Sequence, residues 1–410
     1  MTSKKKIAIQ RIVEDDVEKA VFSALELINA KEIMKEGMVV LLKPNLLHGK
    51  PPERAVTTHP SVLRAVIRWV KQFNPKRIVA SDSSGGHSPG ATAKAMEGSG
   101  LMKVCEEEGI EMVPLEKTER EIYKVENPLV LEEFASSTLL KEADLIINLP
   151  KIKTHGQTVL TCCVKNMFGT ILLRHKTKTH AQYPTFELFS AALVDIYSVS
   201  KPQLTVIDGY LCQEGQGPSS GDVVKLDLII TGYDGIGLDR VVCEIIKLDP
   251  DKVKTLEKAM EKGIGSANIE DFEIVGEKIE DVQREFKLPS NLTIPGRIKL
   301  PKFIRGYLGK LLVKAKVKFD PEKCTCCGTC WKNCPVEAIK PPAEIKKGNV
   351  PTWISKKCIT CYCCAELCPS EAIEFNVNII KNLVLSWLGV IFFGGLGLLI
   401  VIIVLLIVWG

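Results

Sequence analysis

"CTCCGTCWKNCP", residues 324–335, and "CITCYCCAELCP", residues 358–369, decide the architecture of the C-terminal part of this chain. Each contains the spacing C-x2-C-x2-C-x3-C-P, as Cys324, Cys327, Cys330 and Cys334 in the first and Cys358, Cys361, Cys364 and Cys368 in the second. Three cysteines on one tight turn reach three irons of a cube, and the fourth must come from elsewhere. In the bacterial two-cluster ferredoxin pattern the fourth cysteine of each run ligates the other cluster. That pattern assigns Cys324, Cys327, Cys330 and Cys368 to one [4Fe–4S] cluster, and Cys358, Cys361, Cys364 and Cys334 to a second. Zinc is the competing reading. Zinc sites favour paired C-x2-C knuckles, often with histidine, whereas here cysteine triplets plus Cys-Pro occur twice and no histidine follows His180. Two [4Fe–4S] clusters are therefore the expected cofactors of a small ferredoxin-like α+β module over residues 320–376. So few apolar residues lie between the cysteines that the module depends on its clusters to fold. Cys326 and Cys363 are surplus to this ligand set and read as small packing residues in preference to alternative ligands.

Toward the C-terminus, residues 383–409 run for 27 residues without a charge. About 20 apolar residues span a bilayer core, so the expectation is one transmembrane helix. Lys381 and the lysines before it would keep the bulk of the chain on the cytoplasmic side, with Trp387 and Trp409 at the two interfaces. The short stretch between Cys368 and residue 383 would hold the clusters near the membrane face. A membrane-resident redox protein or a lipid-soluble carrier is the expected electron partner. Residues 291–319 form a basic linker. From Arg297 to Lys318 the sequence has eight Lys/Arg and no Asp/Glu. Phe303, Ile304, Tyr307, Leu308, Leu311 and Leu312 form a near-helical stripe there, which suits either an anionic membrane surface or packing against another domain.

The N-terminus lacks the apolar core and cleavage site of a signal peptide. The 15 cysteines of the 410 residues then read as metal ligands or thiols rather than disulfides. A net charge of +5 is too modest to suggest nucleic acid.

Residues 1–290 alternate strand-like and helix-like segments. "KIAIQRI", "MVVLL", "RIVAS", "DLIINL", "QLTVI" and "LDLIITG" read as strands. "SVLRAVIRWVKQF", "FELFSAALVDIYSVS" and "GLDRVVCEIIK" read as helices. Continuous apolar strands between helices predict an α/β domain with a largely parallel sheet flanked by helices. Ligands bind beyond the carboxyl ends of such strands, and four strand ends carry polar clusters. Lys43 and Asn45 follow the second strand. Asp82, Ser83, Ser84, Gly85 and Gly86 follow the third, as a capped turn or an anion nest. Lys151, Lys153 and His155 follow "LIINL", and Asp208 and Glu214 follow "LTVI". Lys165 and Asn166 read as the start of a helix nearby. Lysine mixed with acids suggests an anionic small molecule handled with acid/base chemistry. Lys153, His155, Asp82, Asp208 and Glu214 are the candidate catalytic groups. Lys43, Asn45, Ser83, Ser84, Gly85, Gly86, Lys151, Lys165 and Asn166 are the candidate binding groups. His59 precedes a helix and either caps it or faces the site. No nucleotide-binding glycine motif is present.

"KPNLL" (43–47), "SDSSGG" (81–86), "NLPKIKTH" (148–155) with "CCVKNMFG" (162–169), and "DGYLCQEGQGP" (208–218) together resemble the family called domain of unknown function 362. The resemblance covers about residues 5–290, and many members carry a ferredoxin module as here. It implies an iron–sulfur-associated α/β domain and brings no established reaction. The leading expectation is a membrane-anchored cytoplasmic redox protein that passes electrons between its clusters and an anionic substrate or cofactor. The alternatives are a non-enzymatic electron-transfer subunit docked to a membrane complex, and a cluster scaffold or donor.

Overall fold

The computed structural model describes residues 4–86, 90–289 and 316–376. The expected transmembrane helix over 383–409, nearly all of the basic linker and His87 lie outside the described residues. Among the described residues no helix is long and apolar enough to cross a membrane.

Twelve strands form in the first part of the chain: β1 (Lys5–Arg11), β2 (Val39–Pro44), β3 (Arg77–Asp82), β4 (Glu111–Pro114), β5 (Arg120–Lys124), β6 (Glu133–Ser137), β7 (Leu145–Leu149), β8 (Lys151–His155), β9 (Val159–Thr161), β10 (Leu204–Glu214), β11 (Asp222–Gly232) and β12 (Phe272–Gly276). Ten of them make one mixed sheet. Its main path runs β12-β1-β11-β10-β7-β2-β3-β4, with β8 added on β10 and β9 on β8. The pairs β10–β7, β7–β2, β2–β3 and β3–β4 are parallel, as continuous apolar strands require. The pairs β1–β11, β10–β11 and β8–β9 are antiparallel. β5 and β6 stand apart as an antiparallel ribbon.

Helices cover the sheet because their apolar stripes have nowhere else to go. Val17–Leu27 and Pro60–Lys71 bury Val21, Leu25, Leu63 and Val66 in one cluster with Val40, Leu42, Ile147 and Val206 of the strands. Short polar side chains start these helices. Asp16 accepts from the Lys19 N–H at 2.9 Å, and Thr185 accepts from Leu188 N–H at 3.2 Å. His59 is a cap: its Nδ1 accepts from Ser61 N–H at 3.3 Å.

Two segments differ from the sequence expectation. Residues 151–155 are not a loop but the strand β8, buried along its whole length. Residues 208–214 are not a loop after a strand but the second half of β10. Both carry polar residues that a period-two apolar pattern does not flag. They form strands because their charges find partners inside. Lys151 sits opposite Asp208 across β8–β10, with Nζ 2.7 Å from Oδ2 and neither side chain accessible.

Residues 319–373 and 1–289 together form one compact unit. Within the cysteine-rich stretch, Ile339–Lys340 pairs with Thr352–Trp353, and one-turn helices span Thr329–Lys332 and Cys363–Glu366. A backbone bond from Asp320 N–H to Ala372 O (2.8 Å) joins its two ends.

Replacing Lys151 by methionine would strand the buried Asp208 carboxylate. The expected loss is about 3–5 kcal/mol of unfolding free energy, measured by denaturant titration of the full chain. Lys151→Met together with Asp208→Leu should recover much of it.

Candidate functional site

The cysteines gather in two groups. Cys324, Cys327, Cys330 and Cys368 line a cavity of about 20 Å³, and Cys330 lies within electrostatic reach of the other three. Cys364 lies within reach of Cys361 and Cys358 of its own run and of Cys330 and Cys334 of the first. Cys368, the fourth cysteine of the second run, lies beside the first triplet, and Cys334 lies within reach of the second. The halves are related by a local repeat. Ala338 N–H donates to Cys334 Sγ at 3.1 Å, and Ala372 N–H donates to Cys368 Sγ at 3.3 Å. Such N–H donors to sulfur accompany iron–sulfur ligation and tune it. The donor set is all thiol, with no histidine or carboxylate among the eight, which fits iron–sulfur clusters. Cys326 is buried. Cys363 is buried too, but it has a second address.

Cys363 lines a cavity of about 80 Å³ together with Glu366 and Leu367 of its own module and residues at the carboxyl ends of the sheet strands. The one-turn helix that carries Cys364 is thus also a wall of this pocket. The contact is close. Glu366 Oε1 lies 3.1 Å from His155 Nε2. A first side-chain carbon on Gly156 would stand 3.1 Å from the Tyr362 ring. Lys50 and Arg54 both reach Glu371, the latter at 2.8 Å.

The α/β side of the pocket is built from buried charges that hold one another. Lys43 Nζ donates to Asp82 Oδ2 (2.9 Å), Pro44 O (2.8 Å) and Asn166 O (3.2 Å). Asp82 also accepts from Leu46 N–H (3.0 Å) and Ser83 N–H (2.6 Å), so both its oxygens are engaged. Asn166 Nδ2 donates to Asn148 Oδ1 at 2.7 Å, Asn45 Nδ2 donates to Asn166 Oδ1 at 2.9 Å, and Lys153 Nζ donates to Asn45 Oδ1 at 2.8 Å and Val56 O at 2.7 Å. Gly169 is required here. A side-chain carbon would collide with Asp82 Oδ1 and Lys43 Nζ. Burial, with Lys165 and Lys151 nearby, pulls the Lys153 ammonium down to about 7. Lys176, which donates to Ser83 O and to Ser84 O (2.9 Å), is likewise pulled down to about 7, first by burial. Burial alone would raise Glu366. Its neighbours His155, Lys165 and His180 outweigh it and hold the carboxylate at about 2. Burial lowers His155, and its Nδ1 accepts from Gln157 N–H (3.0 Å) and Thr158 N–H (3.3 Å), which leaves the proton on Nε2, facing Glu366.

Of the residues singled out from sequence, Asn45, Asp82, Ser83, Gly85, Lys153, His155, Lys165 and Asn166 line this one pocket, and Lys43 lies beneath it. Ser84 and Gly86 do not line it; Ser84 Oγ bonds Thr92 Oγ1 at 3.2 Å. Three more are elsewhere, which corrects the idea of one site across all four strand ends. Lys151 and Asp208 satisfy each other, and Asp208 also accepts from His59 N–H (2.6 Å) and Tyr210 N–H (3.1 Å). Glu214 accepts from Lys287 N–H at 3.0 Å. The physical reason is that β10 continues past Asp208 and carries these groups away from the pocket. The "DSSGG" turn is not an open anion nest. Ser83 N–H bonds Asp82 and Gly169 O, Ser84 N–H bonds Thr92 Oγ1 (3.2 Å), and Gly85 N–H bonds Leu47 O (3.3 Å).

Sequence reasoning missed Phe168, Lys176, His180, Thr161 and Glu366. The basic, histidine-bearing run "RHKTKTHAQ" held a signal for two of them. Glu366, the lone acid between Cys364 and Cys368, held another.

Gly156→Val should push Tyr362 away and loosen the cysteine module from the sheet. Hydrogen exchange of residues 362–367 should rise markedly while iron content stays unchanged; equal protection in both proteins would contradict the tight seam.

Two family models match the chain. The model of a family described as a domain of unknown function, DUF362, matches residues 40–244, and that of a 4Fe-4S dicluster domain matches residues 316–369. Thylakoid-associated protein sll1697 of Synechocystis sp. is 30% identical over 277 residues, covering 67% of this chain and 83% of that protein. Among solved structures, the lactate racemase apoprotein of Thermoanaerobacterium thermosaccharolyticum aligns with a TM-score of 0.35 at 15% identity, over 56% of this chain and 54% of that one. A Thermotoga maritima protein aligns with a TM-score of 0.34 at 14% identity, over 61% and 58%. The chain thus spans little more than half the length of the solved structures it matches. The family match across the sheet strands that build the pocket, and the length shared with the Synechocystis protein, make this chain a member of the DUF362 family that carries a 4Fe-4S dicluster domain and has an iron–sulfur electron-transfer role.

Proposed function

We propose that this is a membrane-anchored redox protein in which two [4Fe–4S] clusters exchange electrons with a small anionic substrate or cofactor in the pocket between the sheet and the cysteine module. One observation carries the reading: the helix Cys363–Glu366 presents Cys364 to the second ligand set and Cys363 and Glu366 to the pocket. When bound, the clusters supply one-electron storage and transfer. The chain's own residues do the rest. Lys165 and Lys153 offset negative charge on the bound molecule. Lys153, balanced near neutrality, gives or takes a proton at Nζ. His155 presents its Nε2–H toward the same space. Leu46, Leu47, Phe168 and Leu367 exclude water, which strengthens each of these interactions.

Cys327 is the exposed member of the first ligand set, which is the expected point of electron exchange with a redox protein or lipid-soluble carrier. Support for a membrane location comes from the uncharged run 383–409 and from the name of the thylakoid-associated relative. The orientation expected is single-pass, with the bulk of the chain cytoplasmic.

Anaerobically prepared protein should contain about eight irons per chain; about four would remove the second cluster. Deleting residues 383–409 should release the chain from vesicles into the soluble fraction. Reduced protein mixed with a panel of small anionic metabolites should be reoxidised faster by at least one of them. Lys153→Ala should lose that response with an unchanged cluster EPR spectrum, and a retained response would remove Lys153 from the mechanism. Lys153 and Lys176 are ammonium groups below about 7 and neutral amines above it. Anion affinity should therefore fall as pH rises through 7, and the fall should be shallower in Lys153→Met.

A further inference from the structure

Groups that the fold leaves unused describe the ligand more closely. The 83–85 turn has no free N–H to offer a phosphate, because each is bonded within the protein. Donors must come from side chains. Lys165 makes no hydrogen bond or contact ion pair among the described residues; Glu366 acts on it only at longer range, and its ammonium rests 5.0 Å from the Phe168 ring centre. Thr161 Oγ1 is buried, lines the pocket and has no partner. His155 Nε2 and Glu366 Oε1 stand 3.1 Å apart as a charge pair, and neither atom has a hydrogen bond to any other group among the described residues. Thr161 and His155 are 4% and 0% exposed, so water does not readily satisfy them. One pocket thus offers an unpaired cation, a hydroxyl, an imidazole N–H and one carboxylate acceptor beside apolar walls. A cavity of about 80 Å³ has room for on the order of six water-sized units.

We propose that the pocket binds a small carboxylate bearing a hydroxyl or amino group next to its carboxyl. The carboxylate lies on Lys165 and Thr161, and the neighbouring hydroxyl or amine donates to Glu366 Oε1. The imidazole N–H of His155 takes a remaining ligand oxygen. An ammonium suits a carboxylate as a point charge, and an acceptor in the same pocket favours acids that carry a donor, because only these add a hydrogen bond to the Glu366 carboxylate beside its His155 partner. This inference rests on the pocket being the substrate site.

The test is calorimetry on the full-length, cluster-loaded chain in detergent under anaerobic conditions, with glycolate, glycine, acetate and inorganic phosphate as probes. Glycolate or glycine should bind about tenfold or more tightly than acetate, and phosphate should not displace it. Lys165→Met should weaken binding about tenfold or more, and Lys165→Arg should restore part of it. Thr161→Val, near-isosteric, should weaken it several-fold with an unchanged cluster absorption spectrum, which guards against misfolding as the cause. Acetate binding as tightly as glycolate, phosphate binding more tightly than either, an unaffected Lys165→Met, or no binding of glycolate or glycine at millimolar concentration would each overturn the proposal. If the Lys153-dependent reoxidation persists in that case, the pocket remains the redox site and only the ligand class is wrong. If it is absent as well, the functional reading falls too.

Discussion

Glu366 and His155 meet at a buried seam, and the rest of the site depends on that meeting. A one-turn helix has no stability of its own. The Cys363–Glu366 turn is held from one side by the cysteines around it and from the other by His155, Gly156 and Gly85 of the α/β domain. The carboxylate brings its charge into a region that already holds Lys153, Lys165 and Lys176. Without it these cations would repel one another in a medium of low polarity. The module therefore contributes more than redox centres. It completes the charge balance of a pocket that the sheet only half encloses.

Beneath the seam lies a second layer of buried polarity. Lys43–Asp82, Asn45, Asn148 and Asn166 form a connected network in which each member is satisfied by another. Buried pairs of this kind add little net stability, since desolvation cancels much of the attraction, but breaking one is costly. Their value here is positional. They fix Lys153 and Asn45 at the pocket floor, and Gly169 supplies the space that the Lys43–Asp82 pair requires. Asp82, which the sequence presents as an acid/base candidate, has both oxygens committed to this framework.

In the proposed function, electrons and small-molecule chemistry meet by economy of structure. Cys364 points to a ligand set, while Cys363 and Glu366, one and two residues away, face the pocket. A single turn separates the two environments, so no long conduit is needed between them.

The sequence by itself determined the iron–sulfur domain, because ligand spacing on a tight turn is a local constraint that survives any tertiary arrangement. It determined the α/β alternation for the same reason: apolar periodicity of "MVVLL" or "SVLRAVIRWVKQF" is written within one element. It could not tell that "KIKTH" is a strand, since its burial depends on Asp208, Asn45 and Glu366, which lie far away along the chain. Nor could it separate Lys151, Asp208 and Glu214 from Lys153 and His155, because the length of β10 decides which polar residues face the pocket. Only the tertiary structure brought Glu366 against His155. Charge pairing in a buried seam is set by which surfaces meet, and that is a property of the packed chain rather than of any segment in it.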